Sequence, residues 1–268
     1  IISEEDLLVV GAVDNSNYEW KTAICIFRYN ESEDEWDEEA LLVVPNGWSN
    51  GNFTSYTTDG HRIAVTSSMQ NEKNIYRNVI DVFAFDGSQW IHEQTIDDSV
   101  EIDPGEYNYE WAYSLDILGD VLVVGDPMYN IQPNTDTNHG AAHIYHRDAQ
   151  KGWAYDATLS PWGDPPFPDG DDRFLGLSVA LSNSVVAVAS QKSILLYDIS
   201  GESPEPLQHI RDAQGNFQPR HRSMDFDNNR LMTHVSIDDF GDVEFEGSRI
   251  FEFDGADWSA TATLVPFD

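Results

Sequence analysis

Short apolar segments, each set off by a polar turn, recur along the chain: Leu7-Leu8-Val9-Val10-Gly11-Ala12, Arg62-Ile63-Ala64-Val65-Thr66, Val121-Leu122-Val123-Val124-Gly125, Val185-Val186-Ala187-Val188-Ala189 and Arg230-Leu231-Met232-Thr233-His234. With Leu8, Ile63, Leu122, Val186 and Leu231 as equivalents, the spacings are 55, 59, 64 and 45 residues. A second column, Phe27, Phe83, Tyr145, Tyr197 and Phe251, runs at spacings of 56, 62, 52 and 54. A third is a tryptophan just after a polar turn, at Trp36, Trp90, Trp153 and Trp258. The fourth unit lacks it, and Leu207 is expected in its place. Three columns in one register predict a single supersecondary unit used five times.

Each unit reads as four short strands. In the third, Trp111 to Ile117, Val121 to Gly125, Ala141 to His146 and Trp153 to Leu159 are separated by the turn Gly119-Asp120, a long polar loop and the turn Asp148 to Gly152. No segment has helical periodicity. Four-stranded antiparallel meanders repeated about an axis make a β-propeller, with repeats near 1–46, 47–104, 105–164, 165–212 and 213–268 of one domain. Either a closed five-bladed ring or part of a seven-bladed one satisfies this count. Ile1-Ile2-Ser3 covers only the end of a first strand, so the first repeat is expected to lack most of it. The second strand of each unit is apolar on both faces, as for a strand covered on each side by a neighbouring sheet. The tryptophans are expected to cover the flank of a neighbouring sheet, with each indole N–H free to find an acceptor.

Composition narrows the function classes. The 268 residues are 40% apolar, enough to build a sizeable core. Against 48 acidic residues stand 14 basic ones, a net charge of -34, which opposes binding to nucleic acid phosphates. No apolar run reaches the roughly 18 residues of a membrane helix, so this segment is expected not to insert in a bilayer. One cysteine, Cys25, excludes an internal disulfide. It falls in the middle of a third strand, as an inert buried thiol. Asn30-Glu31-Ser32 and Asn52-Phe53-Thr54 fit the glycosylation acceptor pattern, making Asn30 and Asn52 candidate glycan sites in a secreted protein.

Candidate chemistry is sparse. Of His139, His143 and His146, the last two point to opposite faces of a strand, so only His139 and His143 could share a metal. The Asp-Gly-x-x-Trp turns at 86–90 and 254–258 lack the spacing of a sialidase Asp-box. No phosphate loop, serine elbow or HExxH sequence occurs. With 48 acids a carboxylate pair at glycosidase spacing arises by chance.

Leu175-Gly176-Leu177-Ser178-Val179-Ala180-Leu181-Ser182, Leu122-Val123-Val124-Gly125-Asp126-Pro127 with Gly140-Ala141-Ala142-His143-Ile144-Tyr145, and Leu8-Val9-Val10-Gly11-Ala12 carry a resemblance. The pattern resembles the FG-GAP repeat of the integrin alpha-chain propeller and related secreted microbial proteins, although the Phe-Gly pair is altered in each unit. Loops that vary in length and composition while the strands keep register, together with the resemblance, point to a non-enzymatic propeller that presents loops to a protein or glycan partner outside the cell or at its surface, and the acidity fits a saline or calcium-rich setting. Tyr18, Trp20, Tyr76, Tyr129 and Phe240 lie on those loops as contact candidates. The family's calcium loop is complete in no unit; Asp169, Asp171 and Asp172, and Asp238, Asp239 and Asp242, come nearest to it, and calcium is the one cofactor the resemblance would bring. A structural subunit, docking on copies of itself in a larger assembly or filament, is the alternative. A hydrolase or lyase comes third, and would show convergent titratable groups.

Overall fold

A computed structural model describes residues 2–4, 6–14, 21–48, 55–70, 76–97, 111–129, 139–161, 173–211, 217–239 and 243–264. Among them every regular element is a strand, and no helix occurs. The first sheet holds β1 (Ile2–Glu4), β2 (Leu7–Asp14), β3 (Lys21–Asn30) and β4 (Glu35–Trp48), and the second β5 (Tyr56–Thr58), β6 (Arg62–Gln70), β7 (Tyr76–Phe85) and β8 (Trp90–Asp97). The third holds β9 (Ser114–Leu118), β10 (Val121–Asp126), β11 (Ala141–Asp148) and β12 (Gly152–Leu159). The fourth is β13 (Ser178–Ser182), β14 (Val185–Ala189), β15 (Ser193–Asp198) and β16 (Glu205–Arg211); the fifth is β17 (Phe217–Asp227), β18 (Arg230–Asp239), β19 (Val243–Phe253) and β20 (Trp258–Leu264). In each sheet the strands are hydrogen-bonded in chain order, and one pair, Trp48↔Ser68, joins the first sheet to the second. The chain is thus all-β, built from five four-stranded antiparallel sheets of the kind that form the blades of a β-propeller. It divides into two compact units, Ile1–Val121 with His146–Ala154, and Leu122–Tyr145 with Tyr155–Asp268.

The repeat columns are cross-strand pairs. Leu8 faces Phe27, Ile63 faces Phe83, Val186 faces Tyr197 and Leu231 faces Phe251, so each second strand sets its apolar marker against the aromatic of the third. In the first unit Leu7, Val9, Ile24 and Ile26 pack with Ile63, Val65, Phe83 and Trp90. In the second, Ile194, Leu196 and Ile210 pack with Phe226, Leu231, Phe251 and Trp258. Burial on both faces holds for β14, whose last four residues are buried, but not for β2, where Leu7 and Val9 are buried while Leu8 and Val10 are partly exposed. Trp36 is 42% exposed where Trp90, Trp153 and Trp258 are buried.

A one-residue bulge recurs on the fourth strand, opposite the third-strand aromatic. Register shifts at Ile26/Phe27, Val82/Phe83, Leu196/Tyr197 and Ile250/Phe251 leave Glu39, Glu93, Leu207 and Thr261 unpaired in the ladder. A bulge re-aims its side chain. Glu39 thereby accepts the indole N–H of Trp90 at 2.8 Å, and Glu93 that of Trp153 at 3.2 Å. Leu207 does not replace the missing tryptophan, because the bulge turns it outward to 50% exposure.

The next residue along the strand completes the clamp. Gln94 Nε2 donates to the Trp153 carbonyl at 2.8 Å while its Oε1 accepts from the Trp153 N–H at 2.7 Å. In the other unit Gln208 holds Trp258 in the same way, at 2.9 and 2.7 Å. Replacing Gln94 or Gln208 by leucine would strand one backbone donor and one acceptor, so each is expected to cost about 1–3 kcal/mol in urea unfolding.

The turns that precede the tryptophans are fixed by aspartates. Asp86 Oδ1 accepts from the N–H of Ser88 and Gln89, and Asp254 Oδ1 from those of Ala256 and Asp257. The N–H of Gln89, then the hydroxyl and N–H of Ser88, hold the Asp86 carboxyl below its ordinary range; Asp257 and Ala256 do the same for Asp254. A folded-state pKa below the unfolded one adds stability that is present above the ordinary carboxylate value, near 4, and is lost as pH falls through the depressed value. The stability difference between the wild type and Asp86→Ala is therefore expected to be constant from pH 8 to pH 5 and to shrink as pH falls below the ordinary carboxylate range, read by chemical denaturation.

Candidate functional site

Most of the candidate contact and calcium residues fall outside what the structure describes. Tyr18, Trp20, Asn52, Asp169, Asp171, Asp172, Phe240 and Asp242 lie outside the described residues, and Tyr76, Asp238 and Asp239 are placed on β7 and β18 by backbone alone. Asn30 opens the turn between β3 and β4, its Oδ1 accepting from the Ser32 N–H and hydroxyl and its Nδ2 donating to Asp37 at 3.0 Å. Cys25 is partly exposed, and burial together with the nearby Glu38 raises its thiol pKa, which disfavours the thiolate. Among the described residues no three His, Cys, Asp or Glu side chains gather as metal ligands. His146 is exposed, while His143 is fully buried with the Tyr129 ring edge-on at 5.2 Å. Tyr129 thus packs on a core histidine.

The structure does assemble polar groups at one repeated position. Two residues before the third-strand aromatic stand Cys25, Asp81, His143, Leu195 and Arg249. In the second and third sheets this position is the hub of a network of four side chains, drawn from one second-strand, one third-strand and two fourth-strand residues.

In the second sheet the hub is Asp81 of β7, with no exposed surface. Its Oδ1 lies 2.8 Å from His92 Nε2 and accepts from the Thr95 hydroxyl at 2.6 Å; Oδ2 accepts from Ser67 at 3.4 Å. A carboxylate can only accept, so with Asp81 ionised the proton between them belongs to Nε2, and an uncharged imidazole in that bond carries its lone pair on Nδ1. The bulge at Glu93 brings His92 opposite Phe83 while Thr95 stays opposite Asp81, so that both reach one carboxyl. The His92 side chain is 33% exposed, with the Phe83 ring edge 5.3 Å away between centroids.

In the third sheet the same four positions carry Asp126, His143, Thr158 and Tyr155. His143 Nδ1 meets the Thr158 hydroxyl at 2.9 Å, Thr158 meets Tyr155 at 2.8 Å, and His143 Nε2 stands 3.6 Å from Asp126 Oδ2. Here both the acid and the imidazole are fully buried. Only the second-sheet network therefore sets an imidazole at the surface with a buried carboxylate behind it. That arrangement orients a general base: the acid fixes the tautomer and stabilises the cation formed when the free nitrogen takes a proton.

Of the two networks only His143 was a candidate from sequence, and there as a metal ligand with His139. The signal for the first was a lone acid in an apolar run, Val79-Ile80-Asp81-Val82-Phe83, at a position that elsewhere holds His143. His92 carried no signal, because the bulge that aligns it with Asp81 leaves no mark in residue spacing.

No family model matches the chain, and no curated protein matches it. Among solved structures, it is similar to a candidate 6-phosphogluconolactonase from Bacteroides uniformis at 12% identity, with a TM-score of 0.55 over 97% of this chain and 67% of that one. At that identity the likeness speaks for the fold, which it places among propeller-like proteins. It also corrects the expectation of a non-enzymatic binding or assembly propeller, since a chain of this architecture bears the name of an enzyme. The physical reason for the misjudgement is that residues from separate strands build a site in such sheets, so the lack of a contiguous motif does not argue against catalysis.

Proposed function

We propose that the protein is a hydrolase that opens a lactone or related ester, with His92 as the general base. The observation that carries this reading is the surface imidazole of His92 held at 2.8 Å by the fully buried Asp81. The likeness to a candidate lactonase supports it and suggests the carbonyl class. In the reaction, Nδ1 of His92 takes a proton from water as its oxygen attacks the carbonyl carbon. The tetrahedral intermediate then breaks its ring C–O bond, and the proton returns from the imidazolium to the departing oxygen. Asp81 acts through His92 and is a positioning residue. The strand-level likeness to FG-GAP repeats describes, on this reading, how the sheets are built and carries no activity.

The experiment is a pH-stat assay of the purified chain against five- and six-membered sugar lactones and a simple aryl ester. Enzymatic opening that is lost in His92→Ala supports the assignment; opening at the same rate in that variant removes it.

A further inference from the structure

We infer that the Asp81–His92 site takes an uncharged lactone and discriminates against a phosphorylated one; this rests on the hydrolase reading above. The first ground is the field of the chain. A net charge of -34 disfavours the approach of an anionic substrate, and a phosphate monoester brings about -1.5 to -2 at neutral pH.

The second ground is where the cations stand. Of those in the first unit whose side chains are described, Arg28 contacts Glu39 at 2.5 Å and Asp6 at 3.0 Å. Arg147 contacts Glu93 at 2.5 Å and approaches Asp120 at 3.6 Å. Arg62 lies 3.5 Å from both Glu93 and Asp120, donates to the Gly119 carbonyl at 2.9 Å and covers the Trp153 ring at 6.0 Å. Lys151 stands on the exposed Asp148–Lys151 turn, its backbone N–H held by Asp148. A phosphate would have to displace a carboxylate from its arginine before gaining a bidentate contact.

The third ground is the site itself. The described neighbours of the His92 ring are the Asp81 carboxyl at 2.8 Å, the Thr95 hydroxyl at 3.3 Å and the edge of the Phe83 ring. Among these described groups, a carboxylate, a hydroxyl and a ring edge suit a neutral ring with a polarised carbonyl better than a dianion, and Arg62 and Arg147 are already engaged by Glu93.

The test compares kcat/KM for an unphosphorylated six-membered sugar lactone with that for its 6-phosphate, at ionic strengths of about 0.01 M and 0.5 M. Electrostatic steering changes association by about 10- to 10³-fold and falls with salt. The neutral lactone is expected to be preferred at least tenfold at low salt, with the gap narrowing severalfold at high salt. Equal or faster opening of the phosphorylated lactone at low salt overturns the inference and leaves the hydrolase reading standing. A preference that ignores salt overturns the electrostatic basis. Opening of neither substrate removes the hydrolase reading, and the inference falls with it.

Discussion

His92→Ala is expected to lower kcat/KM for lactone opening by about 10²- to 10⁴-fold, the range supplied by a positioned general base. The side chain is one-third exposed, and Asp81 keeps the Thr95 hydroxyl at 2.6 Å and Ser67 at 3.4 Å when the imidazole is gone. The fold should therefore survive, and far-ultraviolet circular dichroism with a thermal melt checks that it does. Asp81→Asn separates positioning from packing. An amide of the same shape can turn its NH₂ toward Nε2, reversing the tautomer and placing the proton on Nδ1, where the lone pair is needed. The variant should lose most of kcat with little change in KM and should move the pH–rate profile. A purely structural Asp81 would instead lower the melting temperature and leave the profile in place. Should His92→Ala retain wild-type kcat/KM on a lactone that the wild type opens, His92 is not the base.

Sheet build was legible in the sequence because burial in a meander writes directly onto residue type. Ile63 and Phe83, or Val186 and Tyr197, recur at matching intervals since they are cross-strand partners, and a partner lost on one strand exposes the other. Trp90, Trp153 and Trp258 were legible as packing groups for the same reason, and the indole N–H groups of Trp90 and Trp153 find the acceptors Glu39 and Glu93, whereas Trp36 is exposed. The bulge was not legible. It shifts the fourth strand by one residue without changing composition, so spacing alone puts Leu207 where a tryptophan is expected and does not align His92 with Asp81. The candidate site depends on that single shift. Asp81 alone could be picked out, as an acid that needs partners in an apolar strand; which residues satisfy it is decided by register.

Gly176→Ala and Gly140→Ala are each expected to destabilise the protein by at least about 3 kcal/mol, at the upper end of what single substitutions do. Both glycines stand in the stretches that carried the family resemblance, and the structure shows why a side chain is excluded there. A Cβ on Gly140 would lie 2.2 Å from the Leu175 carbonyl oxygen and 2.3 Å from its nitrogen, at a φ of +75°. One on Gly176, at φ +100°, would lie 2.3 Å from the Ala141 oxygen and 2.7 Å from the Asp126 nitrogen. Every one of these atoms is backbone, so no rotamer change relieves the clash, and the left-handed φ adds its own cost for any residue with a Cβ. The backbones meet here because Gly140 and Leu175 form a parallel bridge outside the named strands, and Gly176 N–H and Leu177 N–H both donate to the Ala189 carbonyl. Moving them apart would also disturb Asp126, whose carboxyl faces the buried His143, so strain and loss of a buried pair act together. Gly255→Ala is the control: its φ of +102° is equally left-handed, yet no atom lies within 4 Å of the new Cβ. In urea unfolding it should cost only the conformational share, about 1 kcal/mol. Equal losses at Gly255 and Gly176 would show that backbone conformation, and not the close approach of two strands' backbones, sets the requirement.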